Sequence, residues 1–423
     1  MLTSVALLRA LAASVLLSVA LSGRTANAQD ATAPRTLVFT GATVYPSPDE
    51  APLPEATVVV EGERIAAVGR AEEVRVPSGA TVFPCDGLVL MAGFWNGHVH
   101  FAERKWTDAA TIPAEELEVQ LRSMLTRWGF TSVFDTGSEL RNTLALAHRI
   151  EAGEIAGPRI RTTGEILFPP GGASTPEFRQ LLGFSPAPMP EVGDPEDGAD
   201  AAARLLDAGA DGIKVYAATW RGKIVAQKPE TVAAIAEVTH AAGKLVFAHP
   251  SDGNGLRAAL DGGADVLVHV APQTGPWRPE LVERMKAQHV TLIPTLKLWE
   301  WEGRHDRESQ WRSFADTAVD QLRAYAAVGG TIVFGTDVGY IDDYDPSREY
   351  ALMARAGMDV RAILAALTTT PARVFGAGPT SGKVAPGFDA DLVVLADDPE
   401  RDVTAFARVK YAVRRGRVLF AAE

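Results

Sequence analysis

The chain has 423 residues, a net charge of −12 and a single cysteine, Cys85. One cysteine excludes an intramolecular disulfide and any cysteine-rich metal site, so a bound metal must be held through histidine, carboxylate or modified lysine. The acidic balance, with no basic run and no basic amphipathic helix, argues against nucleic acid and against an anionic membrane as partners. A small-molecule substrate is expected instead, with a homo-oligomer left open.

At the N-terminus Arg9 precedes an apolar stretch from Ala10 to Leu21, followed by Ala26-Asn27-Ala28 ahead of Gln29. That order predicts a signal peptide over 1–28, cleaved after Ala28, and hence a secreted or periplasmic protein. A membrane anchor is the alternative, weakened because the run falls short of the roughly 20 apolar residues a spanning helix needs.

Residues 29–92 read as short strands, TLVFTGATVY, EATVVVEGERIAAVG and ATVFPCDGLVLM, punctuated by Pro, Gly and Glu. The same texture returns over 377–423 in GKVAPGFDADLVVLADD and ARVKYAVRRGRVLF. Both flanks are expected to build one small β-sandwich. Between them, 93–376 alternates apolar runs with amphipathic stretches. Strands are predicted near 94–100, 130–136, 159–164, 212–217, 245–250, 266–271, 290–296 and 331–337. Eight βα repeats predict an α/β fold, a (β/α)8 TIM barrel. A doubly wound open sheet is the alternative, but no glycine-rich nucleotide loop follows an early strand. The Pro- and Gly-rich segment 167–195 is too long for an ordinary connection; a lid over the barrel mouth and an insert without function are both open readings.

The first chemical motif is GFWNGHVHF, which sets His98 and His100 two apart at the end of an apolar strand, on one side of it. LVFAHP, VLVHVAP and IVFGTDVG then place His249, His269 and Asp337 at the ends of three later runs. Barrel enzymes put their chemistry at that end of the strands. Four of the eight histidines share this position, whereas His148, His240, His289 and His305 fall in helices or loops and are read as solvated or locally bonded. Lys214, in DGIKVYA, lies within an apolar strand, where loss of solvent favours the neutral amine. Such an amine can take up carbon dioxide as a carbamate, an anionic two-oxygen ligand. Tyr216 should face the same way as Lys214, either to bond a developing oxyanion or to fill the interior.

These motifs, with MARAGMDVRAILAALTTTPARVFG and GKVAPGFDADLVVL, resemble the amidohydrolase superfamily, in particular its imidazolonepropionase-like and Xaa-Pro dipeptidase-like branch. The resemblance runs from Leu37 to the C-terminus. It implies that His98, His100 and Asp337 bind one metal, that His249 and His269 bind a second, and that carboxylated Lys214 bridges them. It further implies two divalent ions, Zn2+ first and Mn2+ or Co2+ next, an activated water attacking an amide or peptide-type C–N bond, and Asp337 as proton shuttle. Asp252 stands where related deaminases carry a shuttling glutamate, which weakens a mononuclear deaminase or cyclic-imide hydrolase reading. A lactone or ester hydrolase and an inactive binding protein are the remaining alternatives. The substrate pocket is expected from the strand-following loops: Trp106, Trp220, Trp277, Trp299 and Trp301 as aromatic walls, with Arg348 among the basic residues that could pair a substrate carboxylate.

Overall fold

A computed structural model describes residues 36–181, 183–187, 189–219, 225–305 and 310–423. The predicted signal peptide and Trp220 lie outside the described residues. Both ends of the described chain feed one mixed sheet. Its N-terminal strands are β1 (Thr36–Val44), β2 (Leu53–Glu61), β3 (Arg64–Arg70), β4 (Thr81–Pro84) and β5 (Val89–Ala92). Its later strands are Leu392–Leu395, Val409–Arg414 and Arg417–Ala421. The seam between the two ends is the antiparallel pairing of β5 with Leu392–Leu395, in register from Ala92 opposite Leu392 to Val89 opposite Leu395. Alternation in these strands buries one row, including Leu37, Phe39, Val58, Leu90, Leu392 and Val413, in a core of their own.

Gly93 links β5 directly to β6 (Phe94–Val99), the first of the parallel strands. It is followed by β7 (Phe130–Asp135), β8 (Arg159–Thr162) and β9 (Gly212–Tyr216). After a small hairpin, β10 (Ala218–Thr219) with β11 (Val225–Ala226), come β12 (Leu245–His249), β13 (Val266–Val268), β14 (Thr291–Ile293) and β15 (Thr331–Ile332). The parallel strands form two sheets in chain order, β6-β7-β8 and β9-β12-β13-β14-β15. Parallel bridges between Leu167 and Val215 and between Val99 and Val338 link the sheets at both edges. Those edges carry regular hydrogen bonds, Leu167 N–H to Lys214 O at 2.9 Å and His100 N–H to Val338 O at 2.8 Å.

Helices cover these strands, and their starts obey local rules. Pro195–Asp207 opens with Pro at the first turn and Asp194 accepting from the Glu196 and Asp197 amides. Gly253–Asp261 is capped in the same way by Asp252, which accepts from the Asn254 and Gly255 amides. Under the strand ends lies a plug of Trp95, Phe134, Phe247, Ile293, Val333 and Phe375, with Phe134 and Phe247 ring centroids 4.6 Å apart. No helix among the described residues is long and apolar enough to cross a membrane.

Candidate active site

His98 and His100 leave the end of β6, Lys214 sits in the middle of β9, His249 ends β12, His269 follows β13, and Asp337 follows β15. The topology gathers all six at one end of the strands. His98 Nε2 and His100 Nε2 lie 2.9 and 3.0 Å from Asp337 Oδ1, and His269 Nε2 lies 3.9 Å from Asp337 Oδ2. The His98 ring packs edge-on against His269 at 4.7 Å, and His249 against His269 at 4.6 Å.

Two glycines permit this approach. A Cβ on Gly335 would come within 2.9 Å of the His98 Cβ, and one on Gly339 (φ +96°) would collide with the His100 carbonyl oxygen at 1.9 Å. The backbone is also bent into unusual conformations here. Ser251, His269, Thr295 and Asp337 account for four of the eight described non-glycine residues with positive φ. Each such residue costs on the order of 1–3 kcal/mol, which the surrounding packing must offset.

Three of the four imidazoles are anchored through Nδ1. His98 Nδ1 contacts the Thr136 hydroxyl, His100 Nδ1 donates to Gly137 O at 2.9 Å, and His269 Nδ1 lies 2.6 Å from Thr295 Oγ1. The fourth, His249, stacks face to face on Tyr216 at 4.2 Å and 6°. Gly137 is itself held by Asp135, whose buried carboxylate accepts from the Gly137 N–H (3.3 Å), Ser138 Oγ (2.7 Å), Thr162 Oγ1 (2.8 Å) and Thr143 Oγ1 (3.1 Å). Fixing Nδ1 leaves each Nε2 turned inward, the arrangement found around metal-binding histidines.

Electrostatics point the same way. Burial pushes His98 down to about 3, and it holds His249 and His269 well below the usual imidazole range, so these rings are neutral and offer lone pairs. Lys214, 1% exposed, is lowered to about 7 by burial, against the pull of Asp337 and Asp135. Despite their 2.9 Å separation, His98 Nε2 and Asp337 Oδ1 have no hydrogen-bond partner. Two buried electron-rich atoms that converge without a hydrogen bond repel unless a cation lies between them. The ligating atoms of His98, His100 and Asp337 all fall within 4.8 Å of one another, so this donor set fits a divalent metal.

Above these residues opens a cavity of about 790 Å3, lined among others by Lys214, Tyr216, His249, His269, Trp299 and Asp337. Of the expected pocket residues, only some reach it. Trp299 does. Trp106 and Trp277 do not, because both are buried in the core, Trp106 edge-on against Phe101 at 5.1 Å. Trp301 packs on Tyr340 and donates to Asp342 at 2.9 Å. Arg348 is turned to Glu300, with Nε and Nη2 at 2.7 and 2.5 Å from its carboxylate, and is absent from the cavity wall. Asp252 caps its helix and also stands outside the cavity wall. The cavity instead recruits Phe168, Arg179, Phe184, Met189 and Tyr340, which the sequence pattern did not single out. Asp135 did carry a signal, since it ends its apolar strand just as Asp337 ends its own.

Parallel strands crowned by inward-turned histidines and an aspartate define the class of metal-dependent hydrolases. The pattern of the Amidohydrolase family matches residues 89–419, and the chain belongs to that family. It is 26% identical to the ochratoxinase of Aspergillus niger over 407 residues, covering 86% of this chain and 82% of that protein. The solved structure of an Xaa-Pro dipeptidase with bound methionine shares the fold at TM-score 0.79 and 20% identity, covering 92% of this chain and 100% of that one. A putative prolidase from Bifidobacterium longum does so at TM-score 0.77 and 24% identity, covering 91% and 95% of the two chains.

Proposed function

We propose that this protein is a secreted or periplasmic amidohydrolase in which two divalent ions and a carboxylated Lys214 serve the cleavage of an amide or peptide-type C–N bond in a small molecule. The two linked parallel sheets are read as one (β/α)8 barrel, with the terminal strands as a separate β-sandwich. The observation that carries the reading is the convergence of His98, His100 and Asp337, with His98 Nε2 and Asp337 Oδ1 buried and without a hydrogen-bond partner, close to Lys214. The names of its relatives, ochratoxinase, prolidase and Xaa-Pro dipeptidase, support an amide-type bond.

His98, His100 and Asp337 would hold one ion and His249 and His269 the other. Neutral Lys214 can add carbon dioxide at Nζ, releasing one proton and giving a carbamate, an anionic group that would help to hold the ions. Bound there, the ions supply Lewis acidity to the substrate carbonyl and to the attacking water. Asp337 takes the proton from the water and returns it to the leaving nitrogen. Tyr216 lines the cavity, and burial raises its hydroxyl, so it stays protonated and can donate to the developing oxyanion.

The test is a hydrolysis screen of zinc- or manganese-loaded protein against proline dipeptides, N-acyl amino acids, lactones and cyclic imides. Turnover of the first two classes is expected. Activity confined to lactones would overturn the C–N reading, and activity confined to cyclic imides would favour the mononuclear alternative.

A further inference from the structure

We propose that Asp135 is a positioning residue for the metal centre: from outside the ligand cluster it fixes the turn Thr136-Gly137-Ser138, and that turn aims His98 and His100 together. The proposal rests on the metal-dependent reading above and adds a residue outside the ligand set.

The turn meets the end of β6 residue by residue. Val99 pairs with Asp135 in the parallel ladder, which sets the register. Thr136 N–H then donates to Val99 O at 3.1 Å, while the Thr136 hydroxyl contacts His98 Nδ1. Gly137 O accepts from His100 Nδ1 at 2.9 Å, and Ser138 Oγ accepts from the Phe101 N–H at 2.8 Å. Three consecutive residues therefore hold both imidazoles of the first histidine pair and the backbone on either side of His100. A turn just past a strand end has conformational freedom of its own, so its shape must be imposed by something else.

Asp135 imposes it. The residue ends β7 and is fully buried, and its Oδ1 accepts from the Gly137 N–H at 3.3 Å and from Ser138 Oγ at 2.7 Å, which closes the turn onto the strand before it. Its Oδ2 accepts from Thr162 Oγ1 at 2.8 Å, at the end of β8, and from Thr143 Oγ1 at 3.1 Å, on the helix Leu140–Glu151. Two of these hydroxyls are relays. Ser138 Oγ takes the Phe101 N–H as it donates to Asp135, and Thr162 Oγ1 takes the Gly164 N–H at 2.9 Å as it donates. Gly164 O in turn accepts the Ser138 N–H at 3.2 Å, so the turn is gripped from both sides. Every partner of Asp135 is a donor. An ionised carboxylate, with about four lone-pair sites and no proton, meets them all, whereas an amide or a protonated acid would set a donor against these donors.

A buried polar network whose members are all satisfied rigidifies what it encloses. Here it encloses the ring angles of two imidazoles. A rotation of either ring swings Nε2, at its far end, away from Asp337 Oδ1, from which His98 and His100 now stand 2.9 and 3.0 Å. Among the described residues the bonds of Asp135 reach neither His249 nor His269, so its influence is confined to the ion held by His98, His100 and Asp337.

The experiment measures zinc binding by equilibrium dialysis, and the visible absorption bands of the Co2+-loaded form, in the full-length, metal-stripped wild type, Asp135→Ala, Asp135→Asn and Thr143→Val. In Asp135→Ala one step of the zinc isotherm should weaken about 10–100-fold while any other step stays as in wild type, and the cobalt bands should shift. Asp135→Asn keeps one carbonyl oxygen, enough for the turn or for the two threonines but not for both, and should fall between. Thr143→Val breaks only the bond to the helix; it should lower Tm and leave zinc affinity and cobalt bands unchanged. Should Asp135→Ala not fold, Ser138→Ala takes its place: it removes the acceptor of the Phe101 N–H and should weaken the same step about tenfold. Wild-type affinity and bands in Asp135→Ala or its substitute, or an equal loss in Thr143→Val, overturn this proposal alone. A wild type that binds neither zinc nor cobalt overturns the metal-dependent reading and the role of Asp135 with it.

Discussion

Thr295 and His269 meet through a 2.6 Å contact between the threonine hydroxyl and His269 Nδ1, and both residues sit at positive φ, 46° and 79°. A β-branched residue in that conformation is strained, so something must hold it. The next two amides do this: Leu296 N–H and Lys297 N–H donate to the two carboxylate oxygens of buried Glu349 at 2.8 and 2.7 Å. Lys297 Nζ in turn binds Asp343 O at 2.7 Å, in the loop that follows Asp337. One turn thus ties His269 to the loop that follows Asp337.

Thr295→Val removes the hydroxyl and keeps the shape. The second metal should bind about 10–100-fold more weakly, as is usual when a histidine ligand loses its outer hydrogen bond. Equilibrium dialysis against zinc measures this, and an unchanged affinity would show that Thr295 does not orient His269.

Glu349→Gln places an amide NH2 opposite one of two backbone N–H donors. The loss should be about 1–3 kcal/mol of unfolding free energy. There is a pH signature as well. Burial raises Glu349 from 4.5 to about 7, so its contribution to stability is complete below the unfolded value and is lost as pH rises from about 4.5 to about 7. Denaturant titrations across that window should show a decline with pH that is shallower in the variant.

Metal content should be about two divalent ions per chain, and removal by a chelator should abolish activity and lower Tm. Elemental analysis after dialysis checks the count. A value near one after supplementation would favour the mononuclear arrangement.

Lys214→Ala should lose most activity together with the second metal, and short carboxylic acids should restore part of both. In the wild type, reconstitution of metal-free enzyme needs the neutral amine, and Lys214 titrates at about 7. The bicarbonate-dependent rate of activation should therefore fall as pH drops below about 7. A pH-independent rate, or near-normal turnover in the alanine variant, would remove the bridging role.

Asp337→Asn keeps volume and loses the proton acceptor. The turnover number should fall by orders of magnitude, with a Tm shift of a few degrees at most. Near wild-type turnover in a folded, metal-loaded variant would move the shuttle elsewhere.

How far these features could be read from the sequence follows from what each one depends on. Parallel strands buried on both faces are written as plain apolar runs, so GIKVY, LVFAH and the runs ending at His269 and Asp337 stand out, and the chemical residues stand at their ends. Lys214 was conspicuous because a lysine in such a run has no ordinary explanation. The tryptophans are not separable: a large apolar ring after a strand can line the cavity, as Trp299 does, or pack into the core, as Trp106 and Trp277 do, and only the loop path decides. Arg348 was drawn away by Glu300, 48 positions earlier, a pairing that no local pattern announces. Positive φ at His269, Thr295 and Asp337 leaves no compositional trace, because these are not glycines.

The pairing of β5 with Leu392–Leu395 also bears on how the molecule is made. Val89–Ala92 leads straight into the strand bearing His98 and His100, yet its hydrogen-bonding neighbour is synthesised some 300 residues later. While the ribosome is still at work, β5 has an open edge, the kind of surface that recruits other chains. The first histidine pair therefore gains its final support only once Leu392–Leu395 has been made. Chains stopped before Leu392 would be expected in aggregates, whereas chains that include Leu392–Leu395 would keep this closure.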